Sequence, residues 1–293
     1  MRAIWNIISS TSASEPVFSG GGHVRPLTLV RSPSARQMRL MVNPRDGSVR
    51  LTLPRRAALA EAYRWTETKR SWIEAQLAAL PEPQPIVPGM IVPFAGERIT
   101  LDWDVRHPRK PLLLDGALRV GGPLASLDGR LLRWLKAEAR ALLETESLGY
   151  AAQIGVTLGR IGVGDPVSRW GSCAASGDIR YSWRLILAPA TVRRATVAHE
   201  VAHRVHMNHG RAFHALVAAL YGEDPAPARR WLRAHGAGLH WFGRAASGMS
   251  SDGGLPLTSG APGLETIFSG VRAGSPTGFP SASTKVPLSG PPK

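Results

Sequence analysis

Residues 199–209 carry the side chains best suited to chemistry in this chain. The segment opens with His199-Glu200-Val201-Ala202-His203 and closes with Asn208-His209. Residues four apart on an α-helix project from the same face, so His199 and His203 can hold one divalent metal ion between their imidazoles. Glu200 lies beside that ion, where its carboxylate can take a proton from a water on the metal. This spacing predicts the metal site of a zinc hydrolase.

Chance is the competing explanation, because His-Glu-x-x-His is short enough to occur in unrelated chains. Two observations favour a metal site instead. Five of the nine histidines fall close together, at positions 199, 203, 206, 209 and 214. In addition, the run at residues 195–198 is an apolar lead-in typical of a helix.

The third metal ligand has two candidates, since a catalytic zinc ion usually has three protein ligands and one open position. On a straight helix, His206 would stand about 7 Å along the axis beyond the midpoint of the first two histidines, at 1.5 Å per residue. His209 becomes available if Asn208 ends the first helix and caps a second one through Phe213. These turn signals favour His209 and leave His206 and His214 as packing residues or partners of the ligands.

The elements that position this segment fall into four regions. Residues 1–23 are rich in Ser and Gly and are expected to be disordered. Residues 24–120 form a basic, β-rich N-terminal region with one helix. Its strands are predicted at 26–30, 38–42 and 49–53, with a hairpin turn at 43–47, a helix at 55–80 and further short strands between 90 and 120.

Residues 121–243 form the predicted catalytic region. A helix is expected at 127–149. Strands at 156–158, 161–163 and 179–183 flank a loop at 168–173, and the metal helix follows from 191 to 206. Residues 244–293 contain 9 Gly, 7 Pro and 9 Ser and are expected to form a disordered tail.

Charge is concentrated near the N-terminus. The 293-residue chain has 36 Lys and Arg against 21 Asp and Glu, a net charge of +15. Residues 25–70 hold 11 basic and 3 acidic residues, a local net charge of +8. This excess favours an acidic or nucleic-acid partner for the N-terminal region, although solvated arginine-rich faces explain it equally well.

Cysteine content and hydropathy indicate the compartment. The single cysteine, Cys173, excludes an intramolecular disulfide and suits a reducing environment. No stretch approaches the roughly 20 apolar residues of a membrane span, and the apolar run near the N-terminus is too short for a signal core. A soluble, cytoplasmic protein without a membrane partner is therefore expected.

A wider set of residues carries a family resemblance. Besides the histidine motif, the set comprises Arg169-Trp170-Gly171-Ser172-Cys173, Trp183-Arg184-Leu185 with Ala188-Pro189, and Asn208-His209-x-x-x-Phe213. With these residues the chain resembles the YgjP-like metallopeptidase domain, a family related to SprT-like and other HExxH zinc peptidases, over roughly residues 24–222. It departs from the family at His214 and Ser182, where members commonly have Trp and Asn, and neither position belongs to the ligand set.

The resemblance implies an α+β fold, with a zincin-like domain in which the HExxH helix packs on a short sheet. It also implies one zinc ion, or another divalent metal, bound by His199, His203 and His209, with Glu200 as general base.

Four further residues near the motifs are candidates for smaller roles. Arg169, Ser172 and Arg184 are candidate contacts to the substrate or to the oxyanion of the transition state, and each is equally consistent with a surface or turn position. Cys173 is a candidate fourth, inhibitory ligand or a buried small residue, and burial is favoured because a free cysteine is usually interior.

Three functions fit these residues. The leading one is a zinc-dependent metallopeptidase with a peptide substrate. The second is a metal-dependent nucleotide phosphoanhydride hydrolase, similar to a nucleoside triphosphate pyrophosphatase, which the basic region and nearby arginines suggest. The third is a non-catalytic zinc-containing nucleic-acid adaptor.

Overall fold

Six α-helices and three small β-sheets make up residues 16–244, the part of the chain that the computed structural model describes. The fold class is α+β, as the sequence predicts. The expected disorder at residues 1–15 and 245–293 lies outside the described residues. No helix in the described part is long and apolar enough to cross a membrane.

The first sheet comprises β1 (Val17–Gly20), β2 (His23–Ser32), β3 (Arg39–Val42) and β4 (Val49–Pro54) in the order β1-β2-β4-β3. The two middle strands, β2 and β4, run parallel, and each pairs with its outer strand antiparallel. The predicted hairpin at residues 43–47 is confirmed. The Asn43 side chain accepts a hydrogen bond from the Arg45 backbone N–H at 3.1 Å, which stabilises the turn.

Order begins earlier than the sequence suggests. Strand β1 lies inside the segment expected to be disordered, residues 1–23, because its Phe18 side chain is fully buried in the core below the first sheet. The burial of this one ring stabilises a strand that the surrounding Ser- and Gly-rich composition conceals.

The prediction of one helix over residues 55–80 is wrong. The structure has α1 (Leu59–Thr68) and α2 (Arg70–Ala78), which meet at Lys69. The hydroxyls of Thr66 and Thr68 donate to the backbone carbonyls of Ala62 and Trp65. Such bonds compete with the helical backbone pattern and favour a break.

The second sheet repeats the topology of the first. Its strands β5 (Ile91–Phe94), β6 (Glu97–Trp103), β7 (Leu112–Leu114) and β8 (Ala117–Val120) lie in the order β5-β6-β8-β7. A parallel middle pair is again flanked by two antiparallel hairpins. The division of the chain at residue 120 stays a prediction.

The region that follows contains the site. A 3-10 turn leads into α3 (Leu127–Gln153), and the third sheet comprises β9 (Ile161–Gly164), β10 (Gly171–Cys173) and β11 (Ile179–Ser182) in the order β10-β11-β9. A 3-10 helix (Trp183–Leu187), α4 (Ala190–Ala202), α5 (Arg211–Tyr221) and α6 (Ala226–Leu239) complete the described part.

Two predictions for this region are corrected. The expected loop at 168–173 contains strand β10, whose short sequence is stabilised by antiparallel pairing with β11 rather than by its own propensity. The expected strand at residues 156–158 is irregular. Helix α4 packs against α3, α5, α6 and β10, so the site helix is surrounded by its neighbours.

Candidate metal centre

His199 and His203 lie at the C-terminal end of α4, one turn apart. Their ring centroids are 5.1 Å apart and their planes are nearly perpendicular. The helix ends at Ala202, four residues earlier than predicted, because the next turn tightens into i to i−3 bonds from Arg204 and Val205.

His209 reaches the same point from a turn. Its Nε2 lies 3.2 Å from Nε2 of His199. The metal-binding atoms of His199, His203 and His209 all lie within 4.8 Å of one another. The chain turns as expected, but the residue at the N-cap of α5 is Gly210 rather than Asn208, and no side chain caps that helix.

His206 contributes its backbone carbonyl, and not its imidazole ring, to the metal centre. Its carbonyl oxygen lies 3.0 Å from Nδ1 of His203. This contact holds a proton on Nδ1 and leaves Nε2 of His203 as the nitrogen that faces the other histidines. The imidazole of His206 is not a member of the donor cluster.

Phe213 forms an apolar floor beneath the three imidazoles. It is fully buried in the first turn of α5, and its ring centroid lies 4.9 Å from His199, 4.6 Å from His203 and 4.8 Å from His209. The sequence motif includes this residue, but only the folded chain shows that it contacts all three rings.

The three imidazoles could hold a divalent metal ion. Zinc binds imidazole nitrogen at about 2.0–2.1 Å, so two tetrahedral ligands stand about 3.3 Å apart, close to the separation of His199 and His209. Burial, followed by the charges of His203 and His209, lowers the pKa of His199 to about 4. Burial also lowers the pKa of His203. Neutral imidazoles are the form that binds metal.

Glu200 is buried beside the cluster, with 6% of its surface exposed. Burial raises its pKa to about 7, against the opposing effect of the positive charge of Arg169. Gly171 of β10 lies directly against the carboxylate, since a Cβ built on this glycine would stand 2.5 Å from Oε1 of Glu200. The glycine therefore provides the space that the carboxylate occupies.

Arg184 is a candidate substrate contact by sequence, but in the structure its guanidinium is bonded to protein groups instead. Its guanidinium donates to both carboxylate oxygens of Asp165 at 2.8 and 3.0 Å and to the carbonyl of Leu239 at 2.7 Å. Burial alone would raise the pKa of Asp165, but the bonds and charge of Arg184 outweigh it and lower that pKa. Arg184 fastens the end of α6 to the 3-10 helix, so its donors are already used.

Arg169 and Ser172 line a cleft of about 540 Å³ on the third sheet. Arg160, Arg180 and Asp178 share this lining with them, and sequence reasoning missed all three. Along β11, Arg180 is exposed between the buried residues Ile179 and Tyr181. This alternation is the signal that Arg180 faces outward.

Cys173 also borders the cleft and is half-buried. Burial raises the pKa of its thiol. It does not belong to the cluster of metal-binding atoms found in the described residues.

A buried ion pair that sequence reasoning missed holds α4 in place. Arg193 of α4 donates to Glu146 of α3 at 2.9–3.1 Å, and both side chains are largely buried. Because the partners are 47 residues apart, no local pattern joins them.

An α+β protein with three converging imidazoles beside a buried carboxylate has the residue set of a metal-dependent hydrolase. A family model, the YgjP-like metallopeptidase domain, matches residues 36–235, and the chain belongs to this family. The resemblance inferred from sequence is thereby confirmed. Membership supports a peptidase-like hydrolase and implies a divalent metal, typically zinc. No curated protein and no solved structure matches the chain.

Proposed function

We propose that this protein is a zinc-dependent metallopeptidase with a zincin-like site. His199, His203 and His209 hold the metal, and Glu200 is the general base. The observation that carries this proposal is the position of Glu200, a buried carboxylate next to one ligand in sequence and beneath the backbone of Gly171.

The chemistry divides between the metal and the carboxylate. A zinc ion held by three imidazoles supplies a Lewis acid that polarises a carbonyl and acidifies water. Glu200 takes the proton from the attacking water and delivers it to the nitrogen of the leaving amine. Burial raises the pKa of Glu200, which makes its carboxylate a stronger base for the first transfer.

Strand β10 provides a place for a peptide backbone. Trp170 accepts from the Ser182 N–H and Ala174 donates to the Asp178 carbonyl, so these residues bond towards β11. Alternation then directs the N–H and C=O groups of Gly171 and Cys173 to the other edge, where no strand pairs within residues 16–244. An extended peptide added along this edge would pass beside Glu200.

The test is the substitution Glu200→Gln, which keeps the size of the side chain and removes the base. We expect unchanged zinc per chain and a fall in the cleavage of fluorogenic peptides of about 10²–10⁴-fold, the usual contribution of general base catalysis. The matched control is Glu97→Gln, which changes an exposed glutamate on β6. Wild-type turnover by zinc-loaded Glu200→Gln protein would contradict the proposed role.

Nucleotide phosphoanhydride hydrolysis is the second candidate, favoured by the arginines of the cleft. Phosphate release from nucleoside triphosphates in the presence of Zn²⁺, Mg²⁺ or Mn²⁺ measures it directly. We expect no release above the level of the Glu200→Gln protein. Nucleotide turnover faster than peptide turnover would replace the peptidase assignment.

A further inference from the structure

We propose that the cleft on the outer face of the third sheet recognises an acidic side chain of a peptide substrate, on the residues next to the cleaved bond. This proposal rests on the proposed peptidase function. It assigns Arg160, Arg169 and Arg180 to substrate recognition.

The cleft has a surplus of positive charge. Three arginines and one carboxylate, Asp178, line it. The carboxylate accepts a hydrogen bond from the Arg160 backbone N–H at 2.8 Å. None of the three guanidinium groups has a carboxylate within 4.0 Å in the part of the chain that the structure describes. The three guanidinium groups are therefore available to donate hydrogen bonds to an anionic ligand.

The floor of the cleft is left open by small residues. Ser172, Arg180 and Gly162 are in register across the sheet and share its outer face. A Cβ on Gly162 would meet nothing within 4 Å, and a Cβ on Gly164 would stand 3.0 Å from Nε of Arg180. The Arg180 side chain therefore lies over Gly164, and the neighbouring position at Gly162 is open.

The cleft is within reach of a peptide on the open edge of β10. Successive side chains of an extended strand point to opposite faces of a sheet. One set would face α4 and Glu200, as Gly171 does, and the other would face the side of Ser172 and Arg180. Arg169, which precedes β10, is close enough for its charge to act on Glu200. Alternate substrate side chains therefore approach the arginines while the backbone passes the base.

A carboxylate fits this lining better than a nucleic acid does. The planar guanidinium fork matches a carboxylate with two parallel hydrogen bonds. Single-stranded nucleic acids bind through aromatic side chains on which bases stack. The residues that line the cleft include no Phe, Tyr, Trp or His.

The experiment uses full-length, zinc-loaded protein and pairs of labelled ten-residue peptides with Glu or Gln at alternate positions. Binding is measured by fluorescence anisotropy with the Glu200→Gln protein, and cleavage with the wild type. We expect the Glu peptides to be bound and cleaved about three- to tenfold better than the Gln peptides, as for charged contacts at a partly exposed site. High salt should reduce this preference by screening.

Three cleft variants and one control outside the cleft test whether the preference arises there. In Arg160→Gln and Arg180→Gln the ratio of Glu to Gln peptide should fall towards one. Arg98→Gln removes the same charge from an exposed position on β6 and should keep the ratio. Gly162→Glu places a carboxylate in the cleft, at a position where a Cβ would meet nothing within 4 Å, and should also abolish the preference.

The outcomes separate this proposal from the peptidase function. Equal binding and cleavage of Glu and Gln peptides by the wild-type protein would overturn the acidic site and leave the peptidase standing. Glu-peptide binding that requires Arg160 and Arg180, in a protein that cleaves no peptide, would support the acidic site and contradict the peptidase. The acidic site would also be overturned if a single-stranded oligonucleotide or a nucleoside triphosphate bound more tightly than the Glu peptides and lost that binding in the same variants. The cleft would then bind phosphate.

Discussion

Gly171 is the residue at which side-chain size most directly controls the candidate site. A methyl group there would stand 2.5 Å from Oε1 and 2.6 Å from Cγ of Glu200, well inside contact distance. Because Glu200 is buried, its carboxylate must shift within a packed environment to make room. This glycine therefore links the Trp-Gly-Ser-Cys sequence to the position of the base.

We predict that Gly171→Ala reduces peptide hydrolysis by about 10- to 100-fold and leaves zinc content unchanged, because misplacement of a catalytic group by about 1 Å costs roughly this factor. Metal analysis and initial rates measure the two effects. Gly149→Ala is the control, since a Cβ at that exposed position of α3 meets nothing within 4 Å. An active Gly171→Ala enzyme would show that the close contact does not position the base.

The sequence alone identifies the histidine cluster, but it does not show which contacts the neighbouring residues make. Helical spacing brings His199 and His203 together, and the turn after His203 brings in His209. Spacing could not show that His206 contributes its carbonyl, nor that Arg184 bonds to Asp165. Both facts depend on how distant or irregular segments pack.

At the scale of elements, the position of α4 depends on its buried ion pair with α3. Arg193 and Glu146 are largely buried, with 5% and 14% of their side chains exposed, and removal of one partner leaves the other charged and unpaired. This pair joins α3 to the helix that carries His199 and Glu200.

We predict that Glu146→Ala lowers the free energy of unfolding by about 3–5 kcal/mol, the usual cost of breaking a buried pair. Urea denaturation with the zinc site saturated gives the value. Asp104→Ala, which breaks an exposed pair with Arg106, should leave the unfolding midpoint nearly unchanged. Equal effects of the two substitutions would refute a special role for the buried pair.

The boundaries of elements were harder to predict than their types. The strands of the first sheet and the long helix α3 follow from apolar periodicity and turn residues. Two threonine hydroxyl bonds favour the break at Lys69, and pairing with β11 stabilises β10. Side-chain competition and tertiary pairing leave little trace in local sequence patterns.

At the scale of the whole molecule, buried titratable groups make stability depend on pH. Burial, followed by the charges of Arg184 and Arg45, lowers the pKa of His240 from 6.5 to about 4. The unfolded chain therefore binds this proton at a higher pH than the folded chain does. His240 therefore contributes to the free energy of unfolding above pH 6.5, and this contribution is lost as the pH falls towards 4.

We predict that acid destabilises the wild type by on the order of 2–3 kcal/mol through His240 between pH 6.5 and 4. His240→Gln should reduce that loss, because glutamine does not titrate. Thermal unfolding of the two proteins across this pH range is the measurement. Parallel curves for the two proteins would mean that His240 is not the responsible group.

His199, His203 and His209 are proposed to hold zinc and to leave one position open for chemistry. Zinc X-ray absorption spectroscopy of the zinc-loaded full-length protein tests this claim most directly. We predict three imidazole nitrogens and one oxygen at about 2.0–2.1 Å. A sulfur ligand at about 2.3 Å, which would place Cys173 on the metal, or a fourth imidazole would contradict the claim, because either would close the site.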